Sequence, residues 1–335
     1  MFSSIVLFSL LTGLIVASFV LWALFLRLGL RWAQVPDVNT RRIVLAITVI
    51  FILETTLAIL ALLVTPLSDV QATNIGLLEL AASVIVPCTV ISAVFKAPFL
   101  RAIQAWLPTL LGTFATLAFS LVVMRPFLYE SFVAPTNSMA PTLVGQHWKG
   151  TCQECGQPTY CSLQDFYPPL MICDNFHVTE ALAVDRTIHT GDRFMVAKFL
   201  SPRRWDLVVF KYPGDPTSLY VKRLVGFPGE RIQIQDGAVW VNGEPETCPE
   251  SLRDIEYLSE MPVSFGVDIW GSANRPALLG NDEYFVLGDF SAQSADSRLW
   301  EHGATGHNPF AVPESYMIGV VTHTFWPAQR WRIHR

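Results

Sequence analysis

Charged residues are scarce in this chain: only 15% of its 335 residues are Asp, Glu, Lys or Arg, whereas 51% are hydrophobic. Soluble proteins carry about 25% charged residues, so the composition argues against an ordinary cytosolic protein. It also excludes a disordered chain, because this much apolar surface will be buried. A basic character is missing as well, since the formal net charge is −5. No nucleic-acid partner is therefore indicated.

The few charges are unevenly distributed. Residues 1–124 contain six of the 23 Lys and Arg residues and four of the 28 Asp and Glu residues. Four apolar runs in this part reach the length of about 20 residues that a membrane-spanning helix needs. They cover about residues 5–26, 43–64, 75–95 and 103–123. We therefore expect residues 1–124 to form a four-helix transmembrane region within a lipid bilayer.

Basic residues in the loops set the expected orientation of these helices. Two of the loops hold them: Arg27, Arg31, Arg41, Arg42, Lys96 and Arg101. Loops rich in Lys and Arg stay in the cytoplasm, so the N-terminus and everything after residue 123 are expected outside. The first run is not expected to be a cleaved signal peptide, because no basic residue precedes it.

Glu54 and Glu79 are carboxyl-bearing residues within the second and third apolar runs. They either face the interior of the helix bundle without a function of their own or mark a path for an ion or substrate. The sequence leaves both interpretations open.

Beyond residue 125 the pattern changes to short runs rich in Val, Ile, Phe and Tyr, separated by Gly, Pro, Asp and Asn. The runs cover residues 194–198, 207–211, 220–225, 231–234, 238–242, 284–287 and 317–324. Asp236-Gly237 between two alternating runs predicts a tight hairpin. Residues 125–335 are thus expected to form a mainly-β domain. Residues 146–190, which hold four cysteines, and 244–282 break the β rhythm and are interpreted as insertions.

Ser138 stands between Pro135 and Pro141 on a stiff segment shortly after the fourth apolar run. A serine needs a base to act as a nucleophile, and neither a G-x-S-x-G turn nor an evident His-Asp pairing accompanies this one. A lysine whose amine is kept neutral by burial is another such base. Lys222 is the candidate, because it shares one face of a predicted strand with Tyr220. An exposed edge-strand lysine would give the same pattern.

Four sequence boxes sharpen this hypothesis. The first reads Pro-Thr-Asn-Ser-Met-Ala-Pro-Thr-Leu at 135–143, and the second reads Gly-Asp-Arg-Phe-Met-Val-Ala-Lys at 191–198. The third runs from Asp-Leu-Val-Val-Phe-Lys-Tyr-Pro at 206–213 through Tyr-Val-Lys-Arg-Leu-Val-Gly-Phe-Pro-Gly-Glu at 220–230. The fourth reads Gly-Asp-Phe-Ser-Ala-Gln-Ser-Ala-Asp-Ser-Arg at 288–298. In this order they resemble the boxes of bacterial type I signal peptidases (leader peptidases), the Ser/Lys serine proteases of the S26 family. The chain departs from that family at Phe290, where Asn is usual, and in its extra membrane spans.

The resemblance implies a signal-peptidase-like β fold outside the bacterial inner membrane. It also implies an endopeptidase that removes N-terminal signal peptides from exported preproteins after small residues (Ala-X-Ala), without a cofactor for catalysis. Ser138 would be the nucleophile and Lys222 the general base. The Ser138 backbone N–H and the Thr136 hydroxyl would form the oxyanion hole, and Ser294 would orient the lysine.

The resemblance also assigns supporting roles. Residues implied as structural support are Asp289, Asp296 and Arg298. Residues implied to line shallow pockets for small substrate side chains are Met139, Leu143, Tyr220 and Val221.

The first insertion carries four cysteines, namely Cys152, Cys155, Cys161 and Cys173. A C-x-x-C pair plus two further thiolates fits a structural zinc site, and His177 is an alternative fourth ligand to Cys161. Two disulfides suit the same residues outside the cytoplasm, as do free thiols, and the sequence does not decide among the three.

Two rival functions fit the composition. One is a catalytically inactive, membrane-anchored binding protein that uses the β domain and the cysteine insertion. The other is a transporter with an outer β domain, which Glu54 and Glu79 would serve. The presence of both Ser138 and Lys222 favours the peptidase. The oligomeric state is not indicated.

Overall fold

The computed structural model describes residues 2–63, 69–163, 170–181, 184–260 and 269–334. They divide into two compact units: a helical unit formed by residues 2–123 and a second unit, which we call the β unit, that begins at residue 124.

The helical unit is built from five α-helices. They are α1 (Phe2–Trp32), α2 (Thr40–Leu63), α3 (Asp69–Phe95), α4 (Phe99–Trp106) and α5 (Thr109–Phe119), and a π-helix (Ser120–Leu128) continues α5. Pro108 separates α4 from α5, because proline has no N–H to donate to the preceding turn.

Three stretches among the described residues are long and apolar enough to cross a membrane. They are Thr12–Trp32, Thr40–Leu60 and Phe99–Leu128, and a shorter apolar stretch, Leu80–Phe95, lies in α3. The described helices are thus compatible with membrane insertion, and the expected number of four spans stays a prediction.

Apolar side chains of α1 to α4 form the core of the helical unit. Leu30, Ile50 and Ile91 are each at most 1% exposed there, and Cys88 is fully buried among them. Glu54 lines a cavity of about 550 Å³ whose other described walls come from α1, α2 and the α5 region and include no Lys, Arg or His. The side chain of Glu79 lies outside the described residues.

The main sheet of the β unit has eight strands. They are β1 (Tyr129–Val133), β7 (Arg193–Ala197), β8 (Leu207–Tyr212), β9 (Asp215–Gly226), β14 (Glu283–Leu287), β15 (Val312–Pro313), β16 (Met317–Trp326) and β17 (Arg332–Ile333). Their order is β1-β7-β16-β8-β9-β14-β15, with β17 beside β16.

A second, four-stranded sheet is formed by β10 (Arg231–Gln235), β11 (Ala238–Val241), β12 (Glu244–Pro245) and β13 (Ala277–Leu278). Asp236 and Gly237 join β10 to β11 with φ values of 52° and 76°, and type I′ hairpin turns require positive φ at both positions. The predicted hairpin is therefore confirmed. Every apolar run predicted beyond residue 190 overlaps a strand of one of these two sheets.

The described part of residues 146–190 forms a third sheet, so the expectation that this segment interrupts the β pattern was wrong. Its strands are β2 (His147–Thr151), β3 (Pro158–Ser162), β4 (Leu170–Cys173), β5 (Val178–Glu180) and β6 (Val184–His189), in the order β5-β4-β3-β2-β6. We call it the cysteine sheet. The described part of residues 244–282 is mostly loop, and residues 261–268 lie outside the described residues.

The main sheet is covered by apolar side chains on both faces. One face packs Phe194 and Val209 against the loop that follows β1, and the other packs Phe210 and Val286 around Trp300. A charged side chain in the middle of this sheet is therefore withdrawn from water.

Asp192 and Arg330 clamp the loop between β1 and β2 to the C-terminal segment. Arg330 Nε donates to the Asp192 carboxylate at 2.8 and 3.0 Å, and other guanidinium nitrogens donate to the Tyr160 hydroxyl and the Pro141 carbonyl, each at 2.7 Å. Asp192 in turn accepts the Val144 N–H at 2.9 Å.

Replacing Arg330 with Met should leave this carboxylate buried and unpaired, because the Asp192 side chain is only 2% exposed. We expect a loss of about 3 kcal/mol in the free energy of unfolding. Thermal melting of the full chain in detergent, followed by tryptophan fluorescence, measures the effect. Arg253→Met is the matched control, because Arg253 makes only exposed ion pairs and should change stability by less than about 1 kcal/mol. Equal melting temperatures for the two variants would contradict the clamp.

Candidate active site

The loop after β1 presents Ser138 and is tied down on both sides. Asn137 Oδ1 accepts the Gly145 N–H at 2.8 Å, and the Ser138 carbonyl accepts the Phe290 N–H at 3.2 Å. The Ser138 side chain remains partly exposed. It therefore occupies a fixed position while staying accessible.

Lys222 lies on β9, in register with Val208 of the neighbouring β8. Its side chain is buried, with the residue 3% exposed, and Nζ donates to Ser138 Oγ at 2.6 Å. Burial is the main cause that lowers the pKa of this amine from its usual 10.5 to about 8. The charge of Asp296 raises the pKa and that of Arg298 lowers it, and both effects are smaller than that of burial. The two residues singled out from sequence thus meet across 84 positions of the chain.

Thr136 and Ser294 also line the cleft above Ser138. Thr136 Oγ1 lies 3.5 Å from Ser138 Oγ. The Ser294 hydroxyl is buried and has no hydrogen-bond partner among the described residues. The bond to the Lys222 amine that the sequence predicted is therefore not formed in this structure.

Gly288 allows the loop that carries Ser294 to approach the loop that carries Ser138. A β-carbon added at this glycine would lie 1.9 Å from Ser294 Oγ and 2.6 Å from the Ser138 carbonyl oxygen. Any larger residue would have to push the two loops apart.

The cleft has a volume of about 310 Å³, and apolar side chains form much of its wall. Of the predicted pocket residues, Tyr220 and Val221 line it. Met139 and Leu143 do not, because their side chains turn inward and are buried in the core beneath, at 1% and 0% exposure. This part of the pocket prediction is corrected.

The cleft wall also contains apolar residues that were not predicted from sequence as pocket residues, among them Phe132, Val133 and Leu219. Phe132 and Val133 end β1, and Leu219 lies on β9. Phe132 and Val133 lie outside the four boxes, and Leu219 lies between the two ends of the third, so only their position beside apolar runs could have drawn attention to them.

Asp296 and Arg298 form a fully buried ion pair below the cleft. Arg298 Nε donates to Asp296 Oδ1 at 2.9 Å, and a second guanidinium nitrogen donates to Oδ2 at 2.8 Å. Asp296 also accepts the Gly288 N–H at 2.9 Å, while Arg298 donates to the Ser291 hydroxyl at 2.8 Å. The pair therefore holds both ends of the loop that carries Ser294.

Arg223, the neighbour of Lys222, was not singled out from sequence. It is buried and makes a two-pronged ion pair with Asp289, one bond of which is 2.7 Å long. It also donates to the Trp205 carbonyl at 2.6 Å. The strand that bears Lys222 is thus fixed to the loop that follows β14. The available signal was a second basic residue next to Lys222 in the otherwise apolar run of residues 219–225.

A second cluster of reactive side chains lies at one end of the cysteine sheet. The ligand atoms of Cys152, Cys155, Cys173 and His177 all lie within 4.8 Å of one another. Cys161 is not part of it, and its sulfur donates to the Ser162 carbonyl at 3.7 Å instead. Cys161 pairs with Met171 on β4, two residues before Cys173, and two residues of a strand span about 7 Å. The fourth predicted ligand is therefore corrected from Cys161 to His177.

Residues 171–326 match the family model described as signal peptidase, peptidase S26. This region contains Lys222 and Ser294 and begins beyond Ser138.

Curated relatives carry the same description. A signal peptidase I of Leptolyngbya laminosa is 31% identical over 43% of this chain and 64% of its own length. A signal peptidase I of Pseudomonas fluorescens is 28% identical over 56% of this chain and 61% of its own length. The chain thus spans less than two thirds of these two relatives.

Among solved structures, a signal peptidase I of Enterococcus faecalis V583 is 24% identical, covering 37% of this chain and 98% of that one, with a TM-score of 0.26. The matched region and the curated relatives thus show that this chain is similar to type I signal peptidases of the peptidase S26 family.

Proposed function

We propose that this protein is a signal peptidase I: a membrane-bound serine endopeptidase that removes signal peptides from exported preproteins. The observation that carries the proposal is the 2.6 Å contact between the Lys222 amine and the Ser138 hydroxyl, made in a site where burial brings the pKa of the amine to about 8.

The chemistry follows from that contact. The neutral Lys222 amine takes the Ser138 proton while Oγ attacks the scissile carbonyl carbon. The resulting ammonium gives its proton to the leaving amine, and the acyl-enzyme forms. Water then attacks the ester, with Lys222 again accepting a proton, and Ser138 is released. No cofactor takes part in these steps.

The oxyanion of the tetrahedral intermediate needs donors. We assign them to the Ser138 backbone N–H and the Thr136 hydroxyl, which lies close to the nucleophile. Donors fixed in advance stabilise charge that develops only in the transition state. Ser294 is assigned the role of a positioning residue. Its hydroxyl has no partner among the described residues and can accept a hydrogen bond from Lys222. Once Lys222 has taken the serine proton, its ammonium group has three N–H donors, and one of them is available to Ser294.

The cleft suits an extended peptide. β1 lies at an edge of the main sheet, and its last residues, Phe132 and Val133, line the cleft. An exposed strand edge can bind a peptide through main-chain hydrogen bonds. The bulky apolar wall leaves room for small side chains beside Ser138, which agrees with cleavage after Ala-X-Ala junctions.

We assign residues 1–124 to the membrane domain, with four spans at about 5–26, 43–64, 75–95 and 103–123, and the remainder to the catalytic domain. The basic loops orient both the N-terminus and the catalytic domain to the outer side of the bacterial inner membrane. Preproteins and the lipid bilayer are then the partners of the enzyme.

An inactive binding protein would not need a buried lysine directed at a serine. Burying an amine costs free energy, and only catalysis makes use of its lowered pKa.

Two substitutions test the dyad. In detergent, Ser138→Ala should cleave an Ala-X-Ala preprotein at background level, and Lys222→Met should lose about 10²–10⁴-fold in kcat. Lys222→Arg should be as inactive as Lys222→Met, because a guanidinium keeps its proton. The exposed residues Ser131 and Lys211 provide matched controls: Ser131→Ala and Lys211→Met should cleave like the wild type. Cleavage by Lys222→Arg at the wild-type rate would show that the amine is not the base.

The lowered pKa of Lys222 predicts the pH dependence of cleavage. Only the neutral amine accepts the serine proton, so kcat/KM should rise tenfold per pH unit and level off above about pH 8. At pH 6 it should be about 100-fold below its plateau. The measurement is kcat/KM on one preprotein between pH 5.5 and about 10, in a constant buffer mixture. The residual activity of Lys222→Met should lack this rise, and a wild-type profile that is flat over this range would contradict the assignment.

A further inference from the structure

The cluster at the end of the cysteine sheet takes no part in the proposed peptidase chemistry. It is built by two hairpin turns at the same end of that sheet. Cys152 and Cys155 belong to the turn between β2 and β3, while Cys173 ends β4 and His177 lies in the connection from β4 to β5. Since Cys173 is in register with Thr159 of β3, the two turns lie side by side.

The distances within the cluster fit tetrahedral coordination. Cys155 Sγ lies 3.7 Å from Cys173 Sγ, and Cys152 Sγ lies 3.8 Å from His177 Nδ1. With zinc–sulfur bonds of about 2.3 Å and zinc–nitrogen bonds of about 2.0 Å, a tetrahedron has edges of about 3.6–3.8 Å. Two edges of the cluster thus have the length of a tetrahedral zinc site, and the remaining ligand atoms lie within 4.8 Å of one another.

Backbone N–H groups are directed at the two buried sulfurs. Cys152 Sγ accepts from the N–H groups of Glu154 and Cys155, and Cys173 Sγ accepts from those of Asn175 and His177. The main chain of each turn therefore faces the sulfur of its first cysteine.

Each turn has a residue at positive φ. Gly156 has φ 71° in the first turn, and Phe176 has φ 61° in the second. Positive φ is unusual for a bulky residue, so the second turn holds a conformation that the Phe176 side chain does not favour. Both turns thus curl back around their first cysteine.

We propose that Cys152, Cys155, Cys173 and His177 together bind one structural zinc ion that joins the two hairpin turns of the cysteine sheet. Four protein ligands leave no open position for water or substrate, which is typical of structural rather than catalytic zinc. A disulfide uses these groups less completely, because pairing two of three clustered thiols leaves the third thiol and the imidazole without a role.

The site also bears on the cleft. Tyr160 and Ile172 of the cysteine sheet pack against Ala140, Val144 and Phe290. Ser162 at the end of β3 donates to Gln293 Oε1 at 3.0 Å, and both residues line the cleft beside Ser138. Zinc binding would therefore hold in place a sheet that forms part of the cleft wall.

Elemental analysis of the full chain, purified in detergent without chelator, tests the proposal. Wild type should contain about one zinc ion per chain. Cys155→Ser and Cys173→Ser should lose it, and so should His177→Ala. Cys161→Ser is the matched control, because its sulfur points away from the cluster, and it should keep the ion. Zinc in Cys155→Ser and Cys173→Ser at the wild-type ratio would overturn the proposal.

Exchange of zinc for Co²⁺ adds a readout that does not depend on activity. Wild type should show the visible absorption of a tetrahedral cobalt site with thiolate charge transfer. His177→Cys should remain folded and metal-bound with stronger charge transfer, so that loss of metal in other variants cannot be mistaken for misfolding. Wild type that binds neither metal even after reduction and reconstitution, or that yields a Cys155–Cys173 disulfide peptide under mass spectrometry and takes up no metal once reduced, would refute the site.

Discussion

The Lys222 amine is buried away from water and lies 2.6 Å from Ser138 Oγ. This contact depends on the packing of the main sheet and of the loops around it. An ammonium ion in a poorly solvated site loses hydration, so the equilibrium shifts toward the neutral amine. The apolar layers on the two faces of the main sheet provide that environment. Without them the amine would keep its usual pKa and hold its proton at neutral pH.

Burial alone would not suffice if a free carboxylate stood nearby, because an unpaired negative charge would stabilise the ammonium. Asp289 and Asp296 both raise the pKa of Lys222, yet each is committed to an arginine. Asp289 is bridged by Arg223 and Asp296 by Arg298. The guanidinium groups offset much of the negative charge that the amine would otherwise experience. These pairs therefore have two effects: they fix the loops around the dyad, and they leave burial as the dominant influence on Lys222.

The pairing of Ser138 with Lys222 could be predicted from sequence because each residue lies in a short, distinctive segment. The strands with strong apolar alternation could be found as well. Residues whose position depends on distant contacts could not. Met139 follows Ser138 in sequence, but its side chain is buried in the core. The role of Arg223 could not be predicted because it depends on an ion pair with Asp289, which is 66 positions away in the chain. The strands of the cysteine sheet were missed because they are short and carry many polar residues, and the metal ligand set could not be chosen before its two turns were placed side by side.

Phe290 connects these observations. Its ring is fully buried against Ala140 and Val144 of the loop that carries Ser138 and against Tyr160 and Ile172 of the cysteine sheet. Its N–H donates to the Ser138 carbonyl, so one residue joins the Ser138 loop to the cysteine sheet through both its main chain and its side chain. Burial of a Phe ring stabilises the fold by about 1.5–3 kcal/mol, and the cysteine sheet provides part of that burial. The position of Ser138 therefore depends on the cysteine sheet as well as on the main sheet.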